Sequence, residues 1–419
     1  MIRFILQQFF LFFPLVLFSA GKVIPGIEVL FTPEYRSLLI GKKIGVVTNH
    51  TGVTRSMQSS IDLFKQESVK TGYQIIALFA PEHGIQGVEH SWEEILDSKD
   101  KDGIPIYSLH GKTLRPTLEM LRNINLLIFD IQDIGSRSYT YITTLFYLME
   151  EAAKHHIPVI VTDRPNPING MMVDGPMLEE KWRSIVGYIN IPYCHGMTIG
   201  ELAHFFNEEY KVGCALTVIP MKGWHRTMSF TDTGLPWIPT SPHIPESSTT
   251  YYYPTTGILG ELQFVNIGVG YTLPFKLVGA PWIQGETLAK KLNEQKLPGV
   301  NFSPFYFKPF YGRYAHKACE GILINITEPL VYRPVTTQYV ILGILKSLYP
   351  KKFKEALEES KSREAMFAKV NGTDAIYNIL KEKPYIAWEL RSFHQKEREA
   401  FLTKRNQYLL KNYSFMKID

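Results

Sequence analysis

The chain has 419 residues, of which 45% are hydrophobic and 20% are charged, a balance typical of globular proteins and not of disordered ones. This length suits two domains or one large domain. The formal net charge of +5 arises from 45 basic and 40 acidic side chains that are interspersed along the chain. Because no dense basic tract is present, the sequence argues against a nucleic-acid partner.

The first twenty residues have the pattern of a signal peptide. Arg3 gives a positive start, residues 4–18 are almost wholly apolar, and residues 19–21 are small, as expected near a cleavage point. The apolar run is too short for a confident membrane span. We therefore predict that residues 1–20 are a signal peptide and that the mature protein is exported to the periplasm or the extracellular space, without stable membrane insertion. An uncleaved N-terminal anchor is the alternative.

Apolar runs of strand length recur along the first half of the chain, and each ends in polar residues. They cover residues 42–47, 74–80, 126–129 and 158–162, and helical spacing is found at 59–66, 117–122 and 142–155. Residues 104–109 contain Pro105 and are predicted to form a short edge strand. Strands that alternate with helices about every thirty residues predict βαβ units. The fold class is therefore α/β, with a Rossmann-like, mostly parallel sheet that carries helices on both faces.

The second half of the chain changes character. Thr198 and Glu201 fit a capping box at the start of a helix, and residues 216–219 are predicted to form a strand. Residues 236–254 are rich in proline and tyrosine and are predicted to form a long ordered loop at the domain boundary. Beyond it, a strand at 322–326 and helices at 336–348, 363–369 and 388–408 predict a mixed α+β region. The predicted domains are residues 24–247 and a smaller α+β domain, 248–419.

Polar side chains follow the strands of the first domain. Because the carboxyl ends of parallel strands meet at one edge of a sheet, these side chains are expected to converge on a site. The clusters are Asn49-His50, Glu82-His83, Asp130 to Tyr139, and Asp163 to Asn166. Structural roles are the alternatives: Asp130 or Asp163 as a helix cap, Arg137 as a partner of Asp133, and His50 as a satisfied loop histidine.

The chemistry of these clusters suits glycosidic bond cleavage. That reaction needs one carboxyl group to protonate the leaving oxygen and a second group to assist the nucleophile. Glu82 lies between an apolar strand and a Pro-Glu-His-Gly turn, a setting that suits a general acid. No dinucleotide fingerprint or phosphate-binding loop is present. The spacing of His83 and the aspartates matches no metal-ligand motif, so neither a cofactor nor a metal is expected. Three cysteines without a CxxC pair are expected to be buried free thiols.

Six motifs along the chain resemble those of the NamZ-type exo-β-N-acetylmuramidases. They are PEHG (81–84), PIYSLHG (105–111), FDIQDIGSRSYTY (129–141), DRPNPINGMMVDGP (163–176), HGMTIGELA (195–203) and LPFKLVGAPW (273–282). The resemblance covers nearly the whole chain beyond the signal segment. It implies a glycoside hydrolase that removes non-reducing terminal N-acetylmuramic acid from peptidoglycan fragments. It also implies that the Rossmann-like domain holds the active site and that the second domain completes the cleft.

The residues and the resemblance together give the predicted roles. Glu82 is the predicted catalytic carboxylate and Asp133 the predicted second group, with Asp130 and Glu261 as alternatives for the latter. The predicted substrate-binding residues are Asn49, His83, Asp130, Arg137, Tyr139, Asp163, Arg164, Asn166, His195 and Glu261. The lactyl carboxylate of muramic acid would give the arginines a partner.

The sequence departs from the family pattern in three places. His243 replaces an asparagine, Val269 replaces an arginine between two glycines, and the segment that begins at Glu261 reads ELQF in place of EGTN. These changes keep a second hypothesis open: a sugar- or muropeptide-binding protein of the same fold with impaired catalysis.

Overall fold

The computed structural model describes residues 23–89, 93 and 95–413, so the predicted signal peptide lies outside the described residues. Within them, seven strands form one sheet in the order β3-β4-β2-β1-β5-β6-β7. These strands are β1 (Lys43–Thr48), β2 (Gln74–Ala80), β3 (Ser98–Lys99), β4 (Pro105–Ser108), β5 (Leu126–Asp130), β6 (Val159–Thr162) and β7 (Leu216–Ile219). Every neighbouring pair is parallel except β3 with β4. The predicted mostly parallel sheet is confirmed.

Strand order reverses on either side of β1, because the chain moves outward through β2 and β4 and then returns to place β5 against the other edge of β1. In open α/β sheets, ligands bind outside the carboxyl ends of the strands at such a reversal. Thr48, the last residue of β1, pairs in register with Asp130, the last residue of β5. The topology therefore brings the polar segments after β1, β2 and β5 to the same edge.

Helices cover both faces of this sheet. Leu127 and Phe129 of β5 belong to the core on the face that packs against helices α3 (Thr140–Lys154) and α4 (Ile199–Glu209). Leu126 and Ile128 belong to a separate core on the opposite face, together with apolar residues of α1 (Gly26–Leu30) and α2 (Ser60–Thr71). Burial on both faces explains the continuous apolar run of β5. The predicted capping box of Thr198 and Glu201 forms. At the start of α2, the Ser59 hydroxyl accepts from the Asp62 amide.

The second part of the chain is α+β, as predicted. Its three described strands form an antiparallel sheet in the order β8-β10-β9, and α6 packs against β9 and β10. Its elements are α5 (Thr249–Gly260), β8 (Leu277–Ala280), α6 (Gly285–Asn293), β9 (Val300–Phe307), β10 (Cys319–Ile326), α7 (Pro334–Leu348), α8 (Pro350–Glu359), α9 (Glu364–Asn371), α10 (Ala375–Glu382), α11 (Ala387–Ser392) and α12 (Gln395–Arg405). Short 3-10 turns cover Arg36–Leu39, Glu180–Trp182, Thr231–Thr233 and Lys361–Arg363.

The end of the described chain returns to the first sheet. The Tyr413 hydroxyl donates to Asp163 Oδ2 at 2.6 Å, and Arg405 Nη1 donates to the Gly196 carbonyl at 2.6 Å. The two parts of the chain also share one continuous hydrophobic core, which runs from the α3 face of the first sheet to α7 and the second sheet. Contacts across this core hold the two parts together around the cleft described below.

Three sequence predictions of secondary structure are wrong. Residues 117–122 form hydrogen-bonded turns and no helix. This segment buries little beyond Leu121, and short helices need a packed face to be stable. The strand at 105–108 is not the edge, because the two-residue β3 pairs outside it. Residues 249–254, predicted as loop, form the first half of α5, which packs against α7; this burial outweighs the hydrogen bond that Pro254 cannot donate.

The three cysteines are buried and free, as predicted. Among the described residues, none of the helices is both long enough and apolar enough to cross a membrane.

Candidate active site

A cleft lies at the carboxyl edge of the first sheet and is closed by residues of the second part of the chain. It has a chamber of about 170 Å³, whose lining includes Glu82, His83 and Tyr139 from the first part and His243, Tyr253 and Glu261 from beyond β7. A larger cavity of about 460 Å³ adjoins it and shares Tyr253 and Glu261 with the chamber. The geometry thus gives a small inner chamber and a wider outer cavity.

Glu82 stands directly after β2 in a tight turn. The turn requires left-handed backbone at His83 (φ 71°) and Gly84 (φ 75°), a conformation that is uncommon for a non-glycine residue and is often found at functional sites. The His83 ring donates from Nδ1 to the Glu89 carbonyl at 2.7 Å, which fixes the ring. The strained turn therefore orients the Glu82 side chain into the chamber.

Glu82 is buried, with 8% of the residue exposed, and its carboxylate has two close polar neighbours. Thr140 Oγ1, on the first residue of α3, donates to Oε2 at 2.6 Å. His110 Nε2 lies 4.0 Å from Oε1, and burial lowers the pKa of His110 despite the nearby carboxylate. His110 is therefore mainly neutral at pH 7. One carboxylate oxygen is thus held by a hydroxyl, while Oε1 accepts no hydrogen bond from the described residues.

Aromatic rings form one wall of the chamber. Tyr139 meets Tyr141 and Tyr253 edge to face, with ring centroids 4.9 and 6.0 Å apart, and Tyr253 meets Phe275 at 5.0 Å. Burial raises the pKa of Tyr253 to about 12 and raises that of Tyr139 as well, so both phenols stay protonated. Rigid aromatic faces with hydroxyl groups suit the apolar faces and the hydroxyls of a sugar ring.

Glu261 supplies a second carboxylate to the chamber. It follows α5, and its Oε2 accepts from Arg363 Nη2 at 2.6 Å, while Arg363 Nε donates to the Glu261 carbonyl at 3.1 Å. Burial raises the pKa of Glu261, and Arg363 opposes this rise. Among the described lining residues, Glu82 and Glu261 are the carboxylates that face this chamber.

The departures from the family pattern lie in these two spaces. His243 lines the chamber, and its Nε2 lies 2.9 Å from the Tyr311 hydroxyl. Val269 lines the outer cavity near Arg313. The two substitutions therefore bear on the shape and polarity of the spaces that a substrate would fill.

Asp130 and Arg164, both predicted to bind substrate, form a buried ion pair outside the cleft lining. Arg164 Nε and Nη2 donate to Asp130 Oδ1 and Oδ2, each at 2.7 Å. Thr162 also donates to Oδ1 at 2.7 Å, and the Ser60 hydroxyl donates to Oδ2. Both charges are thus satisfied within the protein. This geometry favours a structural role, in which the pair ties β5 to α2 and to the segment after β6.

Arg137 is also engaged by the protein. It is buried, and its guanidinium donates to the carbonyls of Pro176, Ile191, Val370 and Asn371 at 2.6–3.1 Å. Burial lowers its pKa to about 10, so it remains charged at neutral pH. The carbonyls come from both parts of the chain, and the predicted pairing with Asp133 does not form. The structure thus favours a structural role for Arg137 over capture of a substrate carboxylate.

Four further predicted residues lie outside the lining of the cleft: Asp163, Asn166, His195 and Asn49. Asp163 accepts from the Thr198 hydroxyl (2.7 Å) and the Gly200 amide (2.8 Å), and burial raises its pKa to about 7. It therefore anchors the start of α4, as the helix-cap alternative predicted.

The remaining three residues of this group bond to nearby loops. Asn166 Nδ2 donates to the Met197 carbonyl at 2.9 Å, and His195 Nδ1 accepts from the Met197 amide at 3.2 Å. Burial and two neighbouring arginines lower the pKa of His195 to about 3, so this histidine is neutral. Asn49 Oδ1 accepts from the Thr51 amide and hydroxyl. Of the predicted residues, the cleft lining contains Glu82, His83, Tyr139 and Glu261.

Asp133, the predicted second catalytic group, does not line the chamber. Its Oδ2 accepts from the Gly135 amide at 2.7 Å, and its buried Oδ1 has no hydrogen-bond partner within the described part of the chain. Burial raises its pKa to about 7. Asp133 is close enough to add to the raised pKa of Tyr139, so it affects the chamber through the tyrosine wall.

The raised pKa of Asp133 predicts a pH-dependent stability. Asp133 has a pKa of about 7 in the folded protein, against an ordinary value of 3.8, so the folded state binds the proton more tightly. The contribution of this proton to folding stability is therefore present at low pH and is lost as pH rises through 7. We expect the melting temperature to fall between pH 6 and pH 8, and to fall less in Asp133→Asn. Thermal unfolding at each pH measures this. The exposed Asp62→Asn is the control, and an unchanged pH slope in Asp133→Asn would contradict the assignment.

Sequence reasoning did not single out several residues of the cleft. Thr140 and His110 flank Glu82, and Tyr253 and Arg363 close the opposite side. His110 follows β4, so the rule that polar residues collect at the carboxyl ends of strands could have identified it. Tyr253 and Arg363 carry no such signal, because they reach the cleft only through the packing of α5 and of the turn before α9.

Comparisons with known proteins place the chain in a family. The model of the N-terminal domain of the exo-β-N-acetylmuramidase NamZ matches residues 44–248, and that of the NamZ C-terminal domain matches residues 251–410. The chain belongs to the NamZ family of exo-β-N-acetylmuramidases. It is 40% identical, over 93% of its length and 91% of the relative, to the peptidoglycan β-N-acetylmuramidase NamZ of Bacillus subtilis (strain 168).

Two solved structures share the fold. Both are DUF1343 family proteins from Bacteroides fragilis NCTC 9343. One is 39% identical, with a TM-score of 0.87 over 94% of this chain and 99% of its own. The other is 28% identical, with a TM-score of 0.72 over 94% of this chain and 100% of its own. The predicted family and fold class are thus confirmed.

Among the described residues, no group of three or more histidine, cysteine, aspartate or glutamate side chains is arranged to hold a metal ion.

Proposed function

We propose that this chain is an exo-β-N-acetylmuramidase that hydrolyses the bond of a non-reducing terminal N-acetylmuramic acid in peptidoglycan fragments. Family membership supports the activity. The observation that carries the proposal is the position of Glu82, a carboxylate in the inner chamber with one oxygen held by Thr140. A carboxyl group at this position can protonate the oxygen of a leaving sugar.

The size of the chamber supports action at a chain end. A space of about 170 Å³ that is walled by tyrosines suits a single sugar unit, and the adjoining cavity of about 460 Å³ can take the remainder of the fragment. In this arrangement the terminal muramic acid occupies the chamber. The bond to be cleaved then lies where the two spaces meet, beside Tyr253 and Glu261, with Glu82 on the chamber side.

The proposed reaction uses Glu82 as the general acid. Glu82 donates its proton to the glycosidic oxygen as the bond from that oxygen to the anomeric carbon breaks, and the leaving sugar departs as an alcohol. Positive charge develops on the sugar ring as that bond breaks. Water then adds to the anomeric carbon and gives its proton to a second carboxylate. We infer that Glu261 is the second carboxylate, because it lines the same chamber whereas Asp133 does not.

The inferred role of Glu261 gives a kinetic prediction. We expect Glu261→Gln to lower kcat by about a hundredfold, because general acid or base groups contribute about 10²–10⁴-fold to the rate. The measurement is the release of nitrophenol from a chromogenic N-acetylmuramide by the purified protein. Glu294→Gln, at an exposed glutamate, is the matched control. If Glu261→Gln keeps wild-type kcat, another group assists the nucleophile.

The same assay tests the proposed function as a whole. Wild-type protein is expected to cleave the chromogenic β-N-acetylmuramide and to leave the matching β-N-acetylglucosaminide intact. The second hypothesis, a binding protein with impaired catalysis, draws on the substitutions His243 and Val269, which line the two spaces. Binding of N-acetylmuramic acid by calorimetry without release of nitrophenol would favour that hypothesis and overturn the enzymatic one.

We further propose that the protein is exported, with residues 1–20 as its signal peptide. The positive start, the apolar run and the small residues that follow support this proposal. Peptidoglycan fragments outside the cytoplasmic membrane would then be within its reach.

A further inference from the structure

A second cavity, of about 170 Å³, lies where α7, α11 and α12 meet the segment after β6. Its polar lining includes Asp174, Arg333, Arg391, His394 and Arg398, together with Thr336, Thr337 and Gln395. It has no lining residue in common with the chamber or the outer cavity of the cleft. It is therefore a separate space, formed at the junction of the two parts of the chain.

The single carboxylate of this lining is already engaged. Asp174 Oδ2 accepts from the amides of Val335 and Thr336, at 2.9 and 3.0 Å, in the first turn of α7. Asp174 Oδ1 accepts from the Thr336 hydroxyl at 2.9 Å and from His394 Nε2 at 2.8 Å. Asp174 thus serves to cap α7 and to hold His394, and it makes no ion pair with the arginines of the lining.

The three arginines of this lining outnumber its one carboxylate. Arg333 Nη1 donates to the Val173 carbonyl at 3.3 Å, and the guanidinium of Arg391 lies 5.5 Å from the centre of the Trp388 ring. Within the described part of the chain, none of the three forms a salt bridge. Burial lowers the pKa of Arg333, the Asp174 carboxylate opposes this, and the positive charge of Arg398 adds to the lowering. Like charges therefore face one another across a partly enclosed space.

His394 provides an independent sign of a missing partner. It is 3% exposed, and its Nδ1 atom has no hydrogen-bond partner among the described residues. Buried polar atoms are nearly always satisfied, so an orphaned one requires an explanation such as a bound group. The cavity that His394 lines provides the space for that group.

We propose that this cavity binds a phosphate group, either free or as the monoester of a small molecule. Guanidinium groups match phosphate oxygens with paired hydrogen bonds, and an anion would offset the excess positive charge of the lining. The cavity lies between α7, α11 and α12 and the segment that carries Asp174. Bound phosphate would consequently tie the last helices of the chain to the first domain and stabilise the folded protein.

Calorimetry and thermal unfolding with sodium phosphate test this inference, with sodium chloride added to keep the ionic strength constant. We expect saturable binding at one site and a rise in the melting temperature of the wild-type protein. Arg398→Gln and Arg391→Gln should each raise Kd about tenfold or more, since each removes a charge-assisted hydrogen bond. Arg122→Gln, at an exposed arginine, should leave Kd unchanged.

Comparison ligands identify the source of the phosphate. Tighter binding of glucose 6-phosphate than of inorganic phosphate would support a monoester, and equal binding would support free phosphate. The inference is overturned if phosphate gives no saturable effect, if acetate binds as tightly as phosphate, or if both arginine variants bind like the wild type. Circular dichroism of each variant confirms that it is folded. The result is independent of the proposed glycosidase activity, because no substrate is present.

Discussion

Replacement of Glu82 by glutamine is expected to lower kcat for the release of N-acetylmuramic acid by about a thousandfold. Glutamine keeps the shape of the side chain and can still bond to the Thr140 hydroxyl, which lies 2.6 Å from Oε2 in the wild type. It cannot donate a proton to the leaving oxygen. Because the binding surface is retained, KM should change by less than about threefold. Steady-state kinetics on the chromogenic N-acetylmuramide measure both constants.

Two further measurements make this test specific. Glu119→Gln, at an exposed glutamate that lines neither the chamber nor the outer cavity, should behave like the wild type. A substrate with a better leaving group needs less protonation, so it should recover a larger share of activity in Glu82→Gln than a poor leaving group does. Full activity of Glu82→Gln on the poor leaving group would remove Glu82 from the catalytic role.

Replacement of Arg137 by methionine is expected to destabilise the protein by about 3–5 kcal/mol, because the carbonyls that the guanidinium satisfies would be left buried without a donor. These carbonyls belong to Pro176 and Ile191 in the first part of the chain and to Val370 and Asn371 in α9. The loss therefore weakens the junction behind the cleft. For a chain of this length, such a loss should lower the melting temperature by about 5 °C.

Thermal unfolding and kinetics together separate a structural role of Arg137 from substrate binding. Well below the melting temperature, KM of Arg137→Met should stay close to that of the wild type. Arg122→Met provides the control for loss of a surface arginine. A tenfold rise in KM with an unchanged melting temperature would instead support the sequence-based prediction that Arg137 contacts the substrate carboxylate.

The sheet was predictable because its buried strands are recognisable as short apolar runs in the sequence. Residues 126–129 are apolar throughout because β5 is buried on both faces. The spacing of such runs along the chain predicted the parallel topology. The helical structure of residues 249–254 could not be predicted in this way. They contain Pro254 and little periodicity, and they become helical only through burial against α7, which local sequence does not encode.

The position of the site was also predictable, but the roles of the individual residues within it were not. A carboxylate that follows a strand can line a cleft, as Glu82 does, or can form a buried ion pair, as Asp130 does with Arg164. Both residues lie in conspicuous motifs at the same sheet edge. Only the three-dimensional partners distinguish them. For the same reason, the sequence placed Asp133 ahead of Glu261, whereas the chamber contains Glu261.

The most direct test of the account is digestion of two defined peptidoglycan fragments, one ending at its non-reducing end in N-acetylmuramic acid and the other in N-acetylglucosamine. The products are identified by mass spectrometry. We predict that the purified wild-type protein releases free N-acetylmuramic acid from the first fragment and leaves the second intact, and that Glu82→Gln releases none over the same period. Cleavage of neither fragment, or cleavage of both within the chain, would contradict the proposal of an exo-acting muramidase.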